Sequence, residues 1–284
     1  MRLAITGTTG RVGRALADRL AGCHEIVELP RTRLDLGADG CERVLAELDF
    51  DVLLNPAGLT SLEQCEDDPE LAHRVNAEAP LRLAEACGGR PMLHFSTDYV
   101  FDGVTSGLRH EDEVPSPLSV YGKTKAAGEA GVLAAGGTVM RISWVFGPEK
   151  PAFPDQIVAK ALAGQELAAV ADKYSLPCFT PDLCEWVDGW LDAGCPGGIF
   201  HGCQSGEPVS WHGMALEIVA LLGERGIAAP EVKALSMAGM TAFRAPRPRH
   251  TAMATDRLTD LLEKAPRDWK SALRDHVDAL LISR

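Results

Sequence analysis

No stretch of this 284-residue chain holds an unbroken apolar run of about 18 residues, the minimum for a membrane-crossing helix. Its start, Met1-Arg2 and a short apolar stretch ending at Gly7, lacks the layout of a signal peptide. Both absences point to the cytoplasm and away from a membrane partner. Cations are scarce: 28 Lys and Arg stand against 40 Asp and Glu, a formal net charge of -12. Nucleic acids and anionic lipid surfaces are bound by neutralising phosphates with clustered Lys and Arg, so neither is an expected partner. The eight cysteines (Cys23, Cys41, Cys65, Cys87, Cys178, Cys184, Cys195, Cys203) form no Cys-x-x-Cys pair and have no His nearby at metal-ligand spacing. They read as reduced, mostly buried thiols, and no metal is expected because no group of His, Cys, Asp and Glu shows ligand spacing. Internal repeats and low-complexity tracts are missing too, although 225–252, rich in Pro, Arg and Ala, reads as loop.

What the chain does have is a rhythm. Its apolar fraction of 46% and charged fraction of 24% are ordinary for a globular protein, and its length allows a nucleotide-binding domain plus a smaller lobe. Leu3 to Thr6 is a short apolar run, followed by glycines at 7, 10 and 13 and by Val12, Leu16 and Leu20 at helical spacing. Ile26–Leu29 reads as a second strand, Val44–Leu48 as a helix and Asp51–Asn55 as a third strand. A long helix is expected from Pro69 to Ala86, capped by Asp67 or Asp68 and ended by Gly88-Gly89. Met92–Ser96 reads as a fourth strand, Tyr121–Leu133 as a helix and Thr138–Ile142 as the next strand. Beyond Phe146-Gly147-Pro148 the rhythm breaks, with helices expected near 155–163, 180–192, 210–223 and 268–281. Alternating strands and helices imply an α/β fold: a Rossmann-type doubly wound parallel sheet over 1–150, then a smaller α/β substrate-binding lobe over 151–284 that can exchange segments with it.

Three constellations carry chemistry. In Thr6-Gly7-Thr8-Thr9-Gly10-Arg11-Val12-Gly13, small residues between a strand and a helix let a dinucleotide pyrophosphate approach the helix N–H groups. This makes Gly7, Thr9, Gly10, Arg11, Val12 and Gly13 candidate cofactor contacts. The end of the second strand normally selects the ribose, an acid favouring NAD and an arginine favouring NADP. Counting from the first glycine favours Glu28, whereas the following turn offers Arg31 and Arg33; the arginines favour NADP(H), with NAD(H) left open. Tyr121 and Lys125 lie four residues apart, on one helix face and within reach of one ligand. A tyrosine, ordinarily ionising near pH 10, is a poor proton donor unless a neighbouring cation lowers that value, and Lys125 is placed to do so. Finally, Ser96 and Thr97 end the fourth strand, where open parallel sheets bind ligands.

These segments, with Asn55-Pro56-Ala57-Gly58-Leu59-Thr60, Pro69–Ala72, Val75-Asn76-Ala77, Ser96 through Gly103, Tyr121 through Glu129, Arg141–Trp144 and Arg247-Pro248, resemble the extended short-chain dehydrogenase/reductase superfamily. Within it they are similar to the dTDP-4-dehydrorhamnose reductase family of sugar-nucleotide reductases. The resemblance implies a catalytic triad of Thr97, Tyr121 and Lys125, with Tyr121 and Lys125 also touching the cofactor. Ala57, Gly58, Leu59 and Thr60 would line the cofactor, Asp35 and Leu36 its adenine turn, and Asp98, Tyr99, Trp144 and Arg247 the nucleotide sugar. It implies hydride delivery to the C4 ketone of a dTDP-4-keto-6-deoxyhexose, with a homodimer as the assembly allowed for. Departures cluster in the substrate half. Val170 to Cys178 stands where the family commonly has Asp-Gln-x-Gly-x-Pro-Thr, with Lys173, Ser175 and Cys178 all different. Arg249, His250 and Thr251 replace a usual Asn-Ser after Arg247-Pro248. A reductase or epimerase of a different nucleotide-linked or cyclic ketone therefore stands beside the main reading, as does a cofactor-bound regulatory subunit without turnover.

Overall fold

A computed structural model describes residues 1–282. Strands β1 (Arg2–Thr6), β2 (Glu25–Leu29), β3 (Val52–Asn55), β4 (Met92–Thr97) and β5 (Thr138–Ile142) alternate with α1 (Arg11–Leu20), α2 (Leu62–Asp67), α3 (Pro69–His73), α4 (Ala79–Ala86) and α5 (Val120–Ala134). The later chain adds β6 (Val145–Phe146), α6 (Phe153–Leu162), β7 (Leu167–Val170), β8 (Tyr174–Ser175), β9 (Cys178–Phe179), α7 (Thr180–Asp192) and β10 (Gly198–Gly202). It ends with β11 (Val209–Ser210), α8 (Trp211–Glu224), β12 (Val232–Leu235), α9 (Asp256–Leu262) and α10 (Trp269–Ile282).

Six strands form one parallel sheet in the order β10-β5-β4-β3-β1-β2. The chain starts at β1, goes to β2 on one side and to β3 on the other, so the order reverses between β1 and β3. That reversal opens a crevice at the carboxyl ends of these strands. Every residue of β3, β4 and β5 is buried, as expected of central strands covered on both faces. One face packs Leu16, Trp186, Trp190 and Leu258 against Ile5, Leu93 and Met140; the other packs Leu45, Leu83 and Val132 against Leu53 and Val139.

The expected helix from Pro69 to Ala86 is present and capped by Asp68, whose Oδ1 accepts the Leu71 N–H at 3.0 Å. It contains one widened π turn, Arg74–Glu78, that pattern alone does not reveal. Cys41–Glu47 is a 3₁₀ helix in place of the helix expected at 44–48. The stretch 225–252, expected as loop, contains β12, which pairs in parallel with β7 and matches Val232 to Leu167. This pairing spans a long sequence separation and leaves no local periodic signal. Around it α6, α8 and α10 enclose a second core that includes Ile157, Ile218, Leu222, Leu273 and Val277. The chain also returns to the first lobe after residue 150: β10 is the sixth strand, and α7 and α9 cover the sheet.

One buried charge cluster fastens this return. Arg141 on β5 is 0% exposed; its Nη2 donates to Glu129 Oε2 on α5 at 2.8 Å, and its Nη1 lies 3.3 Å from His201 Nε2 on β10. His201 donates from Nδ1 to the Ala254 carbonyl at 2.8 Å, which leaves Nε2 to accept from the guanidinium. Burial, with Arg141 adding to it, pulls the ionisation of His201 down to about 3. The ring therefore stays neutral and does not oppose Arg141. Removing one partner of a buried pair leaves an uncompensated charge. Glu129→Ala is expected to cost about 3–5 kcal/mol in denaturant unfolding; a loss below about 1 kcal/mol would show that the pair does not anchor the fold.

Candidate active site

The crevice at the β1–β3 reversal is a cleft of about 590 Å³. Its floor begins with the turn after β1. Gly7 has φ +57°, a left-handed conformation that glycine adopts without strain, and donates to the Leu29 carbonyl at 2.9 Å. A Cβ on Gly13 would stand 2.3 Å from the Gly7 carbonyl oxygen, so α1 can approach the turn this closely only with glycine there. Thr6 Oγ1 donates to Asn55 Oδ1 at 2.7 Å and accepts the Ala57 N–H at 3.2 Å, locking the glycine turn to the turn after β3. Gly7, Thr9, Gly10, Arg11, Val12, Gly13, Ala57, Gly58, Leu59 and Thr60 all line the cleft. Asn76 positions the second turn, accepting the Leu59 N–H at 2.8 Å and donating to the Leu59 carbonyl at 2.9 Å. Arg11 donates to the Pro151 carbonyl at 3.0 Å and also to Lys150, holding the start of the second lobe over the turn.

At the far end of the cleft lie Arg31, Asp35 and Leu36. Arg31 Nε donates to Asp35 Oδ2 at 3.3 Å, and Asp35 Oδ1 accepts the Gly37 N–H at 3.0 Å. Glu28 and Arg33 are not among the lining residues; Arg33 is tied to the Glu28 carbonyl at 3.2 Å. The two candidate ribose readers are thus separated, with the arginine on the cleft and the acid off it.

Thr97, Tyr121 and Lys125 meet at the middle of the cleft. Thr97 is the last residue of β4, and α5 is capped by Ser119, whose Oγ accepts the Gly122 N–H at 3.1 Å. Burial raises the ionisation of the Tyr121 phenol, a hydrogen bond with Thr97 pulls it back, and Asp98 and Cys65 push it up further. Lys125 takes no part in that balance, contrary to the expectation that it would lower Tyr121 directly. Its Nζ instead donates to the Phe95 carbonyl at 2.6 Å and lies 3.0 Å from His94 Nε2, while His94 Nδ1 lies 3.0 Å from Asn55 Nδ2. Desolvation brings Lys125 down to about 8, with Glu129 opposing it. His94 escaped sequence reading because a histidine inside a buried strand carries no local functional signal.

Asp98, Tyr99 and Trp144 form the next part of the cleft wall. Trp144 has φ +43°, a strained conformation for a bulky residue, and its buried indole Nε1 has no hydrogen-bond partner among the described residues. Ser96 Oγ, also on the cleft, is likewise buried and unpartnered. Such donors are expensive to leave unmet. Arg247 departs from expectation: it is absent from the cleft lining, pairs with Glu63 Oε1 at 2.9 Å and lies 3.7 Å above the Phe243 ring. Behind the wall, Asp98 accepts from Thr97 Oγ1 at 3.2 Å, from Ser175 Oγ at 3.2 Å and from Thr251 Oγ1. Away from the cleft, ligand atoms of His110, Glu111 and Asp256 lie within 4.8 Å of one another, a grouping that chain spacing does not show; His110 Nδ1 and Asp256 Oδ2 are already 3.1 Å apart.

Residues 1–282 match the family model described as the RmlD substrate binding domain. The chain is 34% identical, over 99% of its length and 86% of the relative's, to a dTDP-4-dehydrorhamnose reductase of Mycolicibacterium smegmatis. It is 36% identical, over 97% of its length and 94% of the relative's, to a probable dTDP-4,6-dihydroxy-2-methyloxan-3-one 4-ketoreductase of Streptomyces antibioticus. The crystal structure of a dTDP-4-dehydrorhamnose reductase ortholog from Clostridium acetobutylicum superposes with a TM-score of 0.89 at 29% identity, covering 99% of this chain and 100% of that one.

The glycine turn generates a direct test of the cleft. Gly13→Ala should displace α1 from the turn and weaken dinucleotide binding at least about tenfold in a fluorescence titration. Unchanged affinity would place the dinucleotide elsewhere.

Proposed function

We propose, from the premise that the chain belongs to the RmlD substrate binding domain family, that it is an NADPH-dependent reductase acting on the ketone of a dTDP-linked 4-keto-6-deoxy sugar. Its substrate on this reading is dTDP-4-dehydrorhamnose and its product dTDP-L-rhamnose. The observation that carries the reading is the convergence of Thr97, Tyr121 and Lys125 on one cleft that also contains the glycine turn. A nicotinamide dinucleotide fits the residues present. A Cβ on Gly58 would stand 3.1 Å from Asn76 Oδ1, the atom that accepts the Leu59 N–H, so glycine lets this turn pack closely on the cleft, and Ser96, whose buried Oγ has no partner among the described residues, also lines it. A reduced nicotinamide held there by the glycine turn, Tyr121 and Lys125 would supply the hydride that the ketone carbon needs.

The chain's own groups handle the proton and the oxygen. Thr97 holds the ketone oxygen through its hydroxyl beside Tyr121. Burial keeps the Tyr121 phenol protonated at neutral pH, which suits a group that donates its proton to the alkoxide as it forms. Lys125, mostly charged below about pH 8, offers its ammonium to the ribose hydroxyls, and the hydrogen bond from Thr97 is what eases the charge on the phenol. Arg31, the arginine on the cleft, meets the 2'-phosphate that distinguishes NADPH from NADH, while Glu28 lies off the cleft. Asp98, Tyr99 and Trp144 receive the sugar.

A second reading keeps this chemistry and changes the ketone. The Streptomyces antibioticus relative, at 36% identity, acts by its name on another dTDP-linked ketone, and the 170–178 and 247–251 segments depart from the common family pattern.

Two measurements follow. Consumption of NADPH and NADH by the purified protein with dTDP-4-dehydrorhamnose should show turnover that Tyr121→Phe lowers by at least about 10²-fold, with cofactor binding retained. Near-normal turnover in that variant would remove Tyr121 from the mechanism; turnover only with the other dTDP-linked ketone would establish the second reading. Arg31→Ser should raise the KM for NADPH about tenfold and leave that for NADH nearly unchanged, and an equal effect on both cofactors would take the 2'-phosphate away from Arg31.

A further inference from the structure

Lys173 stands at one of the positions where this chain departs from the common family pattern, and nothing in the proposed chemistry uses it. It is 0% exposed and does not line the cleft. Its Nζ donates to the Pro248 carbonyl at 3.1 Å and lies 3.4 Å from Thr251 Oγ1, the hydroxyl that in turn donates to Asp98 Oδ2. The same ammonium lies 4.7 Å from the centroid of the Tyr99 ring and 5.7 Å from that of Trp144. One side chain therefore backs both aromatic residues of the sugar wall, reaches the Asp98 carboxylate through one hydroxyl, and pins the 247–251 segment that lies behind the wall.

We propose that Lys173 is the positioning residue of the sugar-binding wall, its buried ammonium seating the Tyr99 and Trp144 rings from behind and so setting affinity for the ketone substrate. This rests on the reductase reading given above. Cation–π contacts are strengthened by desolvation, and here the cation is wholly removed from water. The ammonium is also vulnerable. Desolvation lowers Lys173 to about 8; Asp98 from the end of β4 opposes that fall and Arg247 from the closing loop adds to it. His250, on the same loop and stacked on Tyr174 at 5.2 Å, is itself lowered, by burial first, so it is neutral where Lys173 titrates. The charge that seats the rings is thus present at neutral pH and lost as pH rises through about 8.

The test compares wild type with Lys173→Gln, which can still donate to the Pro248 carbonyl but carries no charge. The expected result is a five- to tenfold rise in KM for the nucleotide sugar, kcat within about twofold, and an unchanged NADPH dissociation constant. Wild-type KM should climb between about pH 7 and about pH 9, and the variant's should be flat there. Lys125 titrates over the same range, but its effect falls on kcat and on cofactor binding, and it persists in the variant. A folded Lys173→Gln with wild-type KM and wild-type pH dependence overturns the proposal; so does a wild-type KM that is flat over that range, a measurement that needs no variant.

If no dTDP-linked ketone is turned over, the functional reading fails, and tryptophan fluorescence still decides the role of Lys173. A fluorescence change centred near pH 8, lost in both Lys173→Gln and Trp144→Phe, supports the seating of the wall; a change that survives in Lys173→Gln overturns it.

Discussion

The buried carboxylate of Asp98 is the constraint on which the two-lobed arrangement turns. It is 1% exposed at the end of β4, and a carboxylate taken out of water is tolerated only when its oxygens are met by donors. One donor is its neighbour, Thr97, and two come from distant stretches of chain, Ser175 on β8 and Thr251 after the 247–250 segment. The first lobe alone supplies only one of the three. Docking of the 174–175 and 247–251 segments over the sheet end is therefore required by the same group that stands next to Thr97, and the cleft acquires its back wall as a consequence.

Burial plays opposite parts one turn apart on α5. At Tyr121 it keeps the phenol protonated; at Lys125 it weakens the hold of the ammonium on its proton. Further along, Glu129 meets Arg141 so fully that the pair acts as structure, stapling β10 through a histidine held neutral. Glu129 also opposes the desolvation of Lys125, so the structural pair and the cleft lysine feel one electrostatic field.

Local periodicity made most of the sheet and four of the later helices legible: 180–192 was readable to the residue, and 211–224 and 269–282 to within one. The glycine turn and the Tyr121–Lys125 pair were legible for the same reason, since each is a short-range pattern whose spacing is its function. What was hidden depends on contacts between distant residues. The pairing of β7 with β12, the return of β10 to the sheet and the π turn at 74–78 have no signature in a window of ten residues. Arg247 was assigned to the wall by its place in a motif, yet Glu63 on α2 draws it aside. Lys125 was expected to lower the Tyr121 ionisation while touching the cofactor; the spacing of the pair is a local pattern, but His94 and the Phe95 carbonyl, both on β4, decide where its ammonium points.

The same division explains why the reaction is easier to read than the ketone. The dinucleotide half is built from main-chain geometry: a turn that needs glycine, a helix start and the ends of parallel strands, all specified by a few short motifs. The wall of Asp98, Tyr99 and Trp144 is backed by segments whose mutual placement depends on buried polar contacts among Asp98, Lys173, Ser175 and Thr251. A substitution in the first half breaks a motif and is visible in the sequence. A substitution in the second, such as a lysine in place of an uncharged amide, rearranges what lies behind the wall without altering any residue that touches the ligand, so substrate choice can drift while the catalytic pattern stays intact.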